Sequence, residues 1–112
     1  MKKGKRLLRM EETIRREISE LFLREVKDPR LGFCTVTRVR LSADMKYATV
    51  YMTFAGREEE GLAGAKSATP FLRREISRRL GLRYSPQLRF IFDEEWENLE
   101  SLLDTMNALE ER

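Results

Sequence analysis

A chain of 112 residues with 41% hydrophobic content makes one domain around one core and is too short for two. A single cysteine and no histidine exclude an internal disulfide and the usual zinc clusters, so no metal or cofactor is expected. The net charge of +3 conceals a strong asymmetry: residues 1–10 carry five cations and no anion, residues 71–91 six arginines against Glu75, and residues 92–112 eight carboxylates against Arg112. No apolar run is long enough to cross a membrane, and the basic start lacks the apolar middle of an export signal. A cytoplasmic protein is expected.

In chain order, residues 5–26 read as a helix. Ile14, Ile18, Leu21, Phe22 and Val26 form an apolar stripe at helical spacing, while Arg15, Arg16, Glu20 and Arg24 face outward. The run Lys27-Asp28-Pro29-Arg30-Leu31-Gly32 stops it, because Pro29 biases Asp28 away from helix and Gly32 permits a turn. Phe33 to Leu41 and Lys46 to Phe54 are rich in β-branched and aromatic residues and read as two strands around the turn Ser42 to Met45. In the second strand Ala48, Val50, Met52 and Phe54 belong to the core. Tyr47, Thr49, Tyr51 and Thr53, with Arg38 and Arg40, belong to an uncovered face.

A polar connection, residues 55–60, leads into a helix of small residues from Glu58 to Thr69. Pro70 cannot donate a backbone hydrogen bond and disfavours helical geometry at Thr69, so Ala68, Thr69 and Pro70 mark a kink. Beyond it Leu72, Ile76 and Leu80 recur every four residues and define a packing face. Arg74, Ser77 and Arg78 lie on the far side of that helix, and Arg73 and Arg79 at its rims. Gly81 ends the helix, Ser85-Pro86 leads into a third strand from Gln87 to Phe92, and Asp93 N-caps an acidic terminal helix. The stripe Trp96, Leu99, Leu102, Leu103 and Met106 reads first as closing the domain's own core and second as an adaptor surface for a protein partner.

Helix, two strands, a kinked helix pair, strand and helix give an α+β domain: a three-stranded sheet with helices packed on one face, the arrangement of a type II KH-like domain. Residues 1–93 form the KH-like RNA-binding domain, and residues 94–112 an acidic helix or tail of the same domain. Gly61-Leu62-Ala63-Gly64 has the G-x-x-G spelling of the KH backbone clamp, but it stands at the start of the first helix of the pair and reads as a close-packing site.

At these spacings the chain resembles the ribosome-binding factor A family from about Arg6 to Asp93. The resemblance is carried by Lys27-Asp28-Pro29-Arg30-Leu31, Leu41-Ser42-Ala43-Asp44, Ala48-Thr49-Val50-Tyr51, and Arg73 with Leu82-Arg83, Pro86, Leu88 and Phe90. It implies a KH-like fold whose glycine loop is replaced by an alanine-centred kink, here at Ala68. Pro70 stands where the family usually has glycine. It further implies a bacterial assembly factor that binds the free 30S subunit, assists late 16S rRNA maturation including 5′-end processing, and is associated with growth in the cold.

The residues support binding and not catalysis: Cys34 sits in a predicted strand, and no nucleotide-binding glycine loop precedes a helix. The expected RNA surface is Lys66, Arg73, Arg74, Arg78, Arg79 and Arg83, extended by Lys2, Lys3, Lys5 and Arg6, since arginines on a rigid helix pair with phosphates and recognise folded RNA by shape. The alternative surface is the open sheet face with Arg38, Arg40, Tyr47, Tyr51 and Arg89. A monomer without small-molecule substrate is expected, and the alternatives in function are a general KH-like RNA-binding protein or a protein adaptor.

Overall fold

A computed structural model describes residues 4–110. Its elements are α1 (Lys5–Arg24), β1 (Cys34–Leu41), β2 (Tyr47–Phe54), α2 (Glu58–Ser67), α3 (Thr69–Leu80), β3 (Gln87–Phe92) and α4 (Glu94–Glu110). The sheet order is β1-β2-β3, with β1 antiparallel and β3 parallel to the central β2. The parallel pair follows from the crossover through α2 and α3, which returns the chain to the same end of the sheet.

Ile14, Ile18 and Leu21 of α1, Val50 and Met52 of β2, and Leu72 and Ile76 of α3 are fully buried and make the centre of the core. Phe22 meets the Phe90 ring edge-on, with centroids 6.1 Å apart, and ties α1 to β3. The first helix ends at Arg24, two residues before the sequence boundary, because the amides of Glu25 and Val26 both turn back to the Leu21 carbonyl. Val26 still packs against the core from the loop.

The spacing of Val36, Val39 and Leu41 does not suit a regular strand, in which alternate residues share a face. A bulge resolves it: Val36 pairs with Met52 and Arg38 with Tyr51, leaving Thr37 as the extra residue. All three apolar side chains then point inward, and Thr37 and Arg38 both reach the outer face.

The small residues of α2 have the close-packing role expected of them. A Cβ on Gly61 would stand 2.4 Å from the Phe54 ring, and one on Gly64 would stand 3.1 Å from Leu31 Cγ. Only glycine lets α2 lie this low on the sheet and on the Asp28–Leu31 loop. That loop also braces the kink, since Arg30 is bidentate to Asp28 and donates to Ser67 Oγ at 3.0 Å, one residue before the break.

The kink sits at Ala68 (φ −81°, ψ −4°) and lasts one residue. The first helix of the pair therefore stops at Ser67, and Thr69 opens α3 where the sequence reading had it close α2. Pro70 falls in the first turn of α3, where a missing N–H costs nothing. Gly81, at φ 63°, ends α3 in the left-handed conformation.

The terminal helix departs from its first expected role. Asp93 caps it, accepting from the Trp96 amide at 3.1 Å, but Leu99, Leu103 and Met106 are each 49% exposed and do not close the core. The inner face of the sheet is already filled by α1, α2 and α3. The outer face offers α4 arginines and polar groups, so it touches that face through its first turns alone.

Candidate nucleic-acid interface

Four of the predicted basic residues come together. Arg73, Arg74, Arg78 and Arg83 line one shallow groove of about 690 Å³ with Pro70, Ser77 and Tyr84, along the outer side of α3 and the segment that follows it. They differ in what they can do. Arg74 and Arg83 are exposed and make no ion pair with a described residue. Arg78 is 68% exposed although it bonds Glu75 at 2.8 Å. That bond, the largest influence on both groups, holds the Glu75 carboxyl below its usual range and the guanidinium above it, so both stay charged. Arg73 is half-buried and donates to the carbonyls of Ser85 and Pro86, both at 3.2 Å. It positions the groove wall more than it presents charge.

Arg79 holds its expected rim position, but there it is engaged within the fold. Its side chain is 21% exposed, and the guanidinium lies 3.0 Å from Glu17, 3.2 Å from Glu25, 3.6 Å from Glu75 and 3.9 Å from Glu20. Four carboxylates on α1, its C-terminal edge and α3 occupy it, so Arg79 fastens two helices and is not directed at phosphate. The candidate surface is drawn without it.

Lys66 lines a second groove, of about 320 Å³, with Leu88, Arg89 and Phe90. One cation from the helix set and one from the sheet set thus share a site between α2 and β3. Lys5 and Arg6 are exposed at the start of α1 and line neither groove. Lys2 and Lys3 lie outside the described residues.

On the open sheet face, Arg40, Thr49 and Arg89 form a row across the three strands. Arg40 and Arg89 are exposed, as is Tyr47. Arg38 is withdrawn from this set: it stacks on Tyr51 at 4.1 Å and lies 3.3 Å from Asp93 and 3.5 Å from Glu95. Burial of Asp93 pushes its carboxyl up, but the Thr37 hydroxyl, the Trp96 amide, the Arg38 charge and the Glu95 amide together hold it below its usual range. Arg38 and Tyr51 therefore belong to the attachment of α4, and the open face that remains is Arg40, Tyr47 and Arg89.

Sequence reasoning missed Glu11, a buried carboxylate that accepts from the Leu41 amide at 2.7 Å and closes part of the edge of β1. The signal was present, because Glu11 falls in line with Ile14 and Ile18 at helical spacing. Cys34 is half-buried, and burial pushes its thiol up, away from the reactive thiolate. No helix of the described residues is long and apolar enough to cross a membrane.

The family model for ribosome-binding factor A matches residues 6–106, nearly all of the elements above. The chain belongs to the ribosome-binding factor A family. It is 47% identical over 92 residues to ribosome-binding factor A of Acetivibrio thermocellus, covering 79% of this chain and 75% of that protein. It is 40% identical over 114 residues to that of Natranaerobius thermophilus, covering 96% and 87%. The fold agrees with the crystal structure of ribosome-binding factor A from Thermus thermophilus at a TM-score of 0.72 and 31% identity, over 77% of this chain and 93% of that one. It also agrees, at 0.65 and 33% identity over 73% and 89%, with a Thermus thermophilus ribosome-binding factor A homology model fitted into the cryo-EM map of a 30S complex.

Proposed function

We propose that this protein is a non-catalytic assembly factor that binds the free 30S subunit and assists late maturation of 16S rRNA, including processing of its 5′ end. The observation that carries the reading is the groove of Arg73, Arg74, Arg78 and Arg83 on a braced, kinked helix pair, in a chain whose family has a member fitted into a 30S complex. A cationic surface of fixed shape suits a folded RNA, whose phosphates it meets through charge and geometry without reading base sequence. Binding alone then does the work, by holding an immature rRNA conformation until assembly permits release. Action in the cytoplasm, as a monomer and with a role in the cold, accompanies this reading.

Sedimentation of the protein with 30S, 50S and 70S particles tests it. The expected result is comigration with 30S and release when 50S joins. Equal binding to 70S, or none to 30S, would overturn it.

A further inference from the structure

Adjoining the arginine groove lies a cavity of about 570 Å³, between the Ser42–Met45 turn, the end of α3 and the entry to β3. Its floor is apolar, made by Ile14, Met45, Leu82 and Pro86. Its walls include two tyrosines that the fold leaves out of the core, Tyr84 at 78% and Tyr47 at 59% exposure. Large rings usually contribute their area to a core, and a pair of exposed rings beside an apolar floor suits a flat aromatic guest.

The surroundings favour a nucleotide over a peptide. Arg83 lies over the Tyr84 ring at 5.7 Å, and Lys46 stands at the same mouth, so phosphates flanking a guest base would meet positive charge. Arg83, Tyr84, Leu82, Arg73 and Ser85 line both this cavity and the arginine groove, so a backbone running along α3 passes the opening. The one carboxylate here, Asp44, is engaged within its own turn by the Ser42 hydroxyl at 2.7 Å and the Lys46 amide at 3.0 Å.

The cavity is also preformed. Arg73 holds the Ser85 and Pro86 carbonyls, and Pro86 is buried. Met45, part of the apolar lining, is kept at φ 61°, a left-handed conformation costly for a side chain of this size, by the Asp44-centred turn. A rigid site loses little entropy when it takes a ring.

We propose that this cavity takes one unpaired base of the RNA whose phosphates run along α3, stacked against Tyr84 and Tyr47. The inference rests on the 30S-binding reading above. The groove then supplies affinity through charge, and the cavity supplies position by accepting a base only where the folded RNA extrudes one.

The test measures binding of wild type, Tyr84→Ala and Tyr84→Phe to 30S subunits across a salt series, with ultraviolet crosslinking of each complex and mass spectrometry of tryptic peptides. Loss of one stacked base should weaken binding by about tenfold. Tyr84→Ala is expected to show that loss with an unchanged salt slope, and Tyr84→Phe to restore affinity. A nucleotide adduct is expected on the peptide of residues 84–89 or that of residues 47–57. Wild-type binding with Tyr84→Ala within about twofold of it, or an adduct on neither peptide, overturns the cavity assignment while leaving the 30S reading in place. No binding of wild type to 30S overturns both.

Discussion

Arg79 Nη1 donates to Glu17 Oε2 at 3.0 Å across 62 residues of chain, joining α3 to α1. Glu25 accepts at 3.2 Å, and Glu75 and Glu20 lie at 3.6 and 3.9 Å, a spread of acceptors that suits the several donors of a guanidinium better than a lysine ammonium. Arg79→Ala should therefore lower the urea midpoint by more than loss of a single exposed pair would, because several pairs are lost together. Urea unfolding checks this, and the loss should shrink at high salt as the remaining charges are screened.

The reverse behaviour is expected on the outer face of the same helix. Arg74 and Arg78 are exposed and outside the apolar stripe, so Arg74→Glu with Arg78→Glu should leave the melting temperature nearly unchanged. Binding to 30S should fall strongly, and the slope of log affinity against log salt should decrease by about 0.7 for each phosphate contact removed, taking the single-strand value. Arg40→Glu with Arg89→Glu, on the open sheet face, is the matched control and should do less. A larger loss from the sheet pair, with both variants folded, would move the interface to that face.

Gly61 is predicted to be the most sensitive position in α2. In Gly61→Ala the new methyl would overlap the Phe54 ring, whose carbon stands 2.4 Å from the Cβ position, so the helix or the ring must move. Overpacking of this kind costs about 1–3 kcal/mol, more than the helix propensity gained by losing glycine. Thermal denaturation followed by circular dichroism would show a lowered midpoint, and Phe54→Leu in the same chain should recover part of it.

Asp93 gives the fold a defined response to acid. Its folded-state value lies below the ordinary 3.8, so its contribution is complete above that ordinary value and disappears as pH falls through the lower folded one. Wild type should exceed Asp93→Asn in unfolding free energy at pH 7, and the gap should shrink as pH falls below the ordinary carboxylate value toward the lower folded one. A gap that does not change with pH would mean that cap geometry, and not charge, is what Asp93 supplies.

At the kink, Pro70→Ala restores an amide in the first turn of α3 that can donate back toward α2. The Arg30 to Ser67 bond and the glycine contacts of α2 keep the domain folded, so the expected effect is a straighter junction. Binding to 30S should weaken severalfold at unchanged stability. Unaltered affinity would assign the bend to the packing of α2 alone.

What the sequence determined by itself was whatever depends on neighbours along the chain. Apolar spacing at Ile14, Ile18 and Leu21 and at Leu72 and Ile76 located the buried faces of α1 and α3, because a helix repeats its environment every three to four residues. Gly81 and Asp93 set boundaries through local chemistry, a left-handed backbone and a side-chain cap, that operates within a few residues. The fate of each cation could not be obtained in this way. Helical spacing put Arg79 at a rim and Arg74 and Arg78 on the far side but did not show that Glu17 and Glu25 would accept hydrogen bonds from Arg79, and the Thr37 bulge together with Asp93 withdraws Arg38 from a face that Arg40 keeps. Charge acts through space over several ångströms, so which arginine is spent on the fold and which is left for RNA was decided only when elements distant in sequence were brought together.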